Sequence, residues 1–326
     1  MSTKQSLTRA LQASGIAIAF MLGSAPIVAH AEDAPSATAS TAATETPWGH
    51  PVNDLTPDAA VRYGVLPNGM KYAIQKNTTP KDGGSVRMRI GVGSIAEADN
   101  ERGIAHLLEH MAFNGSTNVP EGEMVKMLER LGLAFGADTN ATTKFDETVY
   151  MLELPRNDEA LVDSALMLMR ETASELTISQ GAVDRERGVV LSERQTRNSP
   201  GLRQFEQQMQ TLMPQTPFGS RLPIGTEEVL KTVSADTIRS FYRRYYRPEN
   251  AALVLVGDFD VDAIEAKIKS RFADWKGKGD AGTAMDRGKI DPAKPFEISN
   301  FVDPAIPVQA ILYRIQPYVA QQDSNA

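Results

Sequence analysis

Four histidines occur in the 326 residues, and two of them, His106 and His110, fall four apart in the stretch Gly103-Ile104-Ala105-His106-Leu107-Leu108-Glu109-His110-Met111. The stretch reads as one short helix, and positions i and i+4 of a helix share a face. Both imidazoles then project one turn apart, with Glu109 beside them. Two imidazoles and a carboxylate on adjacent turns can bind zinc and activate its water. The chain contains no cysteine. Disulfides, a thiol nucleophile and thiolate metal sites are therefore excluded, and a metal must be held by imidazole and carboxylate alone. His30 and His50 complete the set, and neither is a good ligand: His30 lies in an N-terminal leader, and His50 ends a polar stretch beside Trp48 and Pro51.

The leader is recognisable by its three parts. Lys4 and Arg9 give a positive start, Gly15 to Leu22 a short apolar core, and Ala29-His30-Ala31 a small-residue cleavage site. This is the pattern of a secretory signal peptide over residues 1–31, and the apolar run falls short of the roughly 20 residues a membrane span needs. The mature chain is expected in the periplasm or secreted, with no stable membrane span after cleavage. Residues 32–50, rich in Ala, Ser, Thr and Pro, read as a flexible linker. Net charge is −7 and the Lys and Arg are scattered, which argues against a nucleic-acid surface.

Order is expected from Val61. Arg62 to Leu66 and Met70 to Gln75 flank Pro67-Asn68-Gly69, a hairpin signal. Ser85 to Val92 alternates apolar and polar residues as a half-buried strand does. The spacing predicts helices over 101–112 and 121–131, and strands over 133–142 and 148–154. Helices are predicted over 158–175, 179–197, 202–212, 234–246 and 264–275. Ala251 to Gly257 is a continuous apolar run and predicts a buried strand. Helices alternate with hairpins, which favours an α+β fold with helices on one face of a mainly antiparallel sheet. Residues 51–275 form one domain on this reading. Residues 276–295 are a second linker, and 296–326 hold one strand, near Val308 to Tyr313, that starts a further domain or a tail.

A catalytic zinc takes three protein ligands and a water. With no further histidine to hand, the third ligand must be a carboxylate. Glu109 could serve, but it is better placed as general base on the zinc-bound water. The predicted helix 179–197 is the best outside donor. Glu186 and Glu193 lie seven apart and face the same way, so one could ligate while the other hydrogen-bonds an imidazole.

The order H-x-x-E-H is the inverse of the commoner zinc-protease signature. Together with GIAHLLEHMAFNGS (103–116), the chain carries GADTNATTKFDETVYMLELP (136–155), DRERGVVLSE (184–193), PFGSRLPIGTEEVL (217–230) and YYRPENAALVLVGD (245–258). In these motifs and their order it resembles the pitrilysin/insulinase zinc metallopeptidases, over about Arg62 to Asp260. The resemblance implies a zinc endopeptidase acting on peptides or unfolded segments, with one Zn2+ per chain. His106, His110 and Glu193 match the zinc ligands, Glu109 the catalytic base, and Glu186 the acid that supports the site. Asn140, Ala141 and Thr142 match the strand that pairs with substrate, and Phe113 an apolar residue on the primed side of the cleft. Members of the family close a second, related domain over the first, and that domain supplies an Arg and a Tyr. No residue of this chain matches that pair. The alternative is therefore a zinc- and peptide-binding subunit that is inactive until a second domain or partner chain completes it.

Overall fold

The computed structural model describes residues 48–49, 55–134, 136–291, 293 and 295–315. The expected signal peptide, nearly all of the first linker and His50 lie outside the described residues. Six strands form one sheet in the order β1-β2-β6-β3-β5-β4. They are β1 (Val61–Val65), β2 (Lys71–Lys76), β3 (Gly84–Ile90), β4 (Thr139–Thr143), β5 (Thr148–Leu154) and β6 (Ala251–Gly257). The β2–β6 pairing is parallel and the others are antiparallel. The expected Asn-Gly hairpin is β1–β2, with Gly69 at φ 92° in the turn.

The pleat explains the layering. Val86, Met88 and Ile90 of β3 stand in register with Leu152 and Tyr150 of β5 and with Leu255 and Leu253 of β6. All are buried and join one hydrophobic core with the helices. The opposite face of the same strands carries ion pairs instead, Arg87 with Glu153 and Arg89 with Glu147. The core face is covered by helices α1 (Ile104–Met111), α2 (Glu123–Arg130), α3 (Glu159–Ser174), α4 (Gln180–Arg197), α6 (Glu227–Thr232), α7 (Ala235–Tyr245) and α8 (Val261–Phe272), while α5 (Pro200–Leu212) has no buried residue. Side chains that cap orphan backbone N–H groups fix several starts: Asp158 for α3, Ser179 for α4, Ser234 for α7 and Asp260 for α8.

The structure corrects several expected boundaries. The strand expected from residue 133 begins only at Thr139. Gly132 and Gly136 take positive φ, the Ala134 N–H donates to the Asp138 carboxylate, and residues 136–138 form a turn. The helix expected from residue 101 starts at Ile104, after a 3-10 turn over Asp99–Glu101. The last helix starts at Val261, three residues before Ile264, because Asp260 caps it. Helix α6, capped by Thr226, is too short to show as a periodic pattern.

The strand expected at Val308 to Tyr313 does not form. Val308 and Leu312 are exposed, and no described strand pairs with the segment. A run of apolar residues alone does not make a strand where no described strand lies beside it to pair with. Residues 276–290 have no regular structure and are strapped to the helices. Lys278 Nζ donates to the Ser174 carbonyl (2.7 Å), the Gly282 N–H to the Arg244 carbonyl (2.9 Å), and Arg247 to the Gly279 carbonyl (2.9 Å).

Met88 is fully buried at the centre of the sheet, between β5 and β6. Met88→Ala is expected to cost about 2–5 kcal/mol of stability. A lowered urea midpoint with unchanged slope would be the result that checks it.

Candidate metal centre

Helix α1 is positioned at its first turn. Gly103 sits at φ 101°, and a Cβ there would also come within 2.9 Å of the Gly225 Cα, so glycine is required on two grounds. The buried Glu97 carboxylate then accepts the Gly103 N–H (2.9 Å) with one oxygen and the Ala105 N–H (2.8 Å) with the other. These are two of the N–H groups that a helix start leaves without intrahelical partners. From that anchor α1 packs against α4, β4 and α7. Ile104, Leu107, Leu108 and Met111 enter the core, which turns His106, Glu109 and His110 toward α4 and β4.

Helix α4 brings its carboxylates onto the imidazoles. Glu193 Oε2 lies 3.7 Å from His106 Nε2 and 3.5 Å from His110 Nε2. His106, His110 and Glu193 each offer a ligand atom, all within 4.8 Å of one another. Glu186, two turns earlier, accepts a hydrogen bond from His110 Nδ1–H at 3.1 Å. That bond fixes the ring so that Nε2 faces Glu193, the arrangement common to metal-binding histidines. Glu109 stands beside the cluster, and Thr143 of β4 donates to its Oε2 at 2.5 Å.

The electrostatics favour a cation. Burial, with His110 adjacent, pushes the His106 pKa down to about 3, so its imidazole is neutral. Burial works against charge on His110 as well, but hydrogen bonds to Glu186 and Glu193 and the Glu109 charge outweigh it and raise its pKa to about 10. Glu193 falls to about 2 against the cost of its burial, through His110, His106 and Arg197. Burial raises the Glu109 pKa, opposed by His110 and the Thr143 hydrogen bond. Three carboxylates thus converge on one buried and one half-buried imidazole.

His106 makes no hydrogen bond through either nitrogen among the described residues: Nδ1 is buried without a partner and Nε2 is beyond hydrogen-bond range of Glu193. A neutral, buried, unpartnered imidazole opposite a carboxylate is suited to a zinc ion. The donor set therefore fits the metal that the motif implies.

The other expected residues fall close by. Asn140, Ala141 and Thr142 lie on β4, the outer strand of the sheet, with Ala141 buried and the other two half-buried. Phe113 and Asn140 share the wall of one apolar recess with Met124, Leu128, Tyr150 and Leu168. Three contributors were not foreseen. Thr143 is one residue beyond the stretch singled out. Arg197, paired with Glu193 at i+4, is an interaction helical spacing alone could have suggested. Glu97 reaches α1 through a loop and leaves no periodic signal.

Two family models match the chain: residues 72–222 match the insulinase domain of peptidase family M16, and residues 232–325 match the M16 inactive domain. The chain is 39% identical over 223 residues to a probable zinc protease, PqqL, of Haemophilus influenzae, covering 68% of this chain and 24% of that protein. A probable zinc protease PqqL of Escherichia coli is 32% identical over 272 residues, covering 83% and 29%. The crystal structure of the periplasmic protease PqqL from Escherichia coli matches with a TM-score of 0.70 at 32% identity, over 74% of this chain and 26% of that one. The chain belongs to the insulinase family of zinc metallopeptidases. It spans 24% to 29% of the length of these curated relatives.

Glu97→Gln is expected to destabilise the protein by about 1–3 kcal/mol, because the amide turns a donor toward a buried backbone N–H. Chemical denaturation of the two proteins checks this.

Proposed function

We propose that this chain carries the metal-bearing part of an exported zinc endopeptidase that hydrolyses peptides or unfolded polypeptide segments. The observation that carries the proposal is the convergence of His106, His110 and Glu193 beside a buried Glu109, next to the outer strand of the sheet. His106, His110 and Glu193 would hold one Zn2+, which when bound polarises the scissile carbonyl and lowers the pKa of water toward about 7. Glu109 accepts the proton of the attacking water and passes it to the leaving amine. Glu186 holds His110 in the tautomer that presents Nε2. Substrate lies along β4 as an added strand, with backbone hydrogen bonds at Asn140, Ala141 and Thr142 and a side chain directed toward Phe113.

Residues 1–31 direct export, and 32–50 tether the 51–275 domain. Export to the periplasm is supported by the leader pattern and by the periplasmic relative. Residues 276–295 connect to a segment at 296–326 that begins a second domain. The match of residues 232–325 to an inactive-domain model, and the fraction of each relative covered, favour completion of the site by a further domain or partner chain. Peptidase activity is therefore to be assayed for this chain both alone and with such a partner.

Chelation should abolish peptide hydrolysis, and added zinc should restore it. Glu109→Gln should keep stoichiometric zinc, measured by metal analysis, while turnover falls by at least about 100-fold. Full turnover in that variant would overturn the mechanism. Thr143→Val removes a hydrogen bond that favours the ionised Glu109. The Glu109 pKa should then rise further, and because the base works ionised, the acid limb of the kcat/KM profile should move to higher pH.

A further inference from the structure

Glu193 is engaged through both carboxylate oxygens, by different groups. Oε2 points between the two imidazoles, 3.5 Å from His110 Nε2 and 3.7 Å from His106 Nε2. Oε1 is paired with the guanidinium of Arg197, one helical turn further along α4. The neighbouring arginines of that helix have other work. Arg187 donates to the Leu230 and Val233 carbonyls, and Arg185 pairs with Glu121. Arg197 is the arginine of that helix with a described ion pair to Glu193.

A carboxylate can bind a cation through one oxygen or through both, and a catalytic zinc needs one position left for water. We propose that Arg197 is a positioning residue that fixes Glu193 as a one-oxygen ligand, by occupying Oε1 and leaving only Oε2 for the metal. The inference rests on the zinc-peptidase reading above. Arg suits the task because its guanidinium stays charged throughout the working pH range and its planar fork fixes direction as well as charge. Its place at i+4 from Glu193 makes the pairing a property of the helix itself, formed before any metal arrives. Without it, Glu193 would be free to add its second oxygen to the ion, which raises the coordination number and crowds the position that water requires.

The test uses the full chain loaded with Co2+, whose visible absorption reports coordination number, and competition with a chromophoric chelator for Zn2+ affinity. The wild type should show the intense bands of a four-coordinate ion. Arg197→Met should show weaker bands of higher coordination and bind Zn2+ at least about tenfold more weakly, since the carboxylate is no longer held. Arg197→Lys should fall between the two. A purely structural role would lower the denaturation midpoint without moving the Co2+ spectrum. An unchanged spectrum and unchanged Zn2+ affinity in Arg197→Met would therefore overturn this inference and leave the peptidase reading intact. Failure of the wild type to bind Co2+ or Zn2+ would overturn both.

Discussion

The contact between α1 and α4 is the interaction on which the centre depends. Neither helix forms the site alone. Helix α1 carries two imidazoles and a carboxylate; α4 carries the two acids that orient and complete them. Bringing these groups out of water costs free energy that their mutual attraction must offset, and a lone buried charge would not survive that balance. The surrounding packing supplies the rest. Leu107, Leu108 and Met111 on α1 and Val190 on α4 lie in the common core, so hydrophobic burial holds the two backbones at the separation the polar groups require.

The sheet contributes more than a floor. Its alternation places Thr139, Ala141 and Thr143 of β4 on the helix side, in register with Leu152, Tyr150 and Thr148 of β5. Thr143 can then hydrogen-bond Glu109, which ties the carboxylate beside the histidines to the outer strand of the sheet. Loop 91–103 does the same at the other end of α1, where Glu97 caps its first turn and Arg221 donates to the Glu97 carbonyl. The helix is thus anchored at both ends by groups outside itself, which favours the fixed geometry a catalytic centre needs.

Much of the fold was legible because period and punctuation agree. Ala251 to Gly257 is apolar throughout since β6 is flanked by β2 and β3 in the sheet. Ser179 and Ser234 mark helix starts since their hydroxyls accept backbone N–H groups that would otherwise go unpaired. The pattern misled where a local bond overrode it, as where Asp138 accepts the Ala134 N–H and residues 136–138 form a turn. It also misled at Val308 to Tyr313, where a run of apolar residues was present and no described strand pairs with it.

Residue type and spacing determined that His106, Glu109 and His110 share one short helix and that Glu186 and Glu193 share a face of another, because helical periodicity is a local property of the chain. Spacing alone left open which of the two acids faces both imidazoles. That depends on how far α4 is rotated and slid against α1, which long-range packing sets, and the structure puts Glu193 there with Glu186 on the far nitrogen of His110. The contacts of Thr143, Glu97 and Arg197 arise at the same level, since they exist only once sheet, loop and helices are assembled.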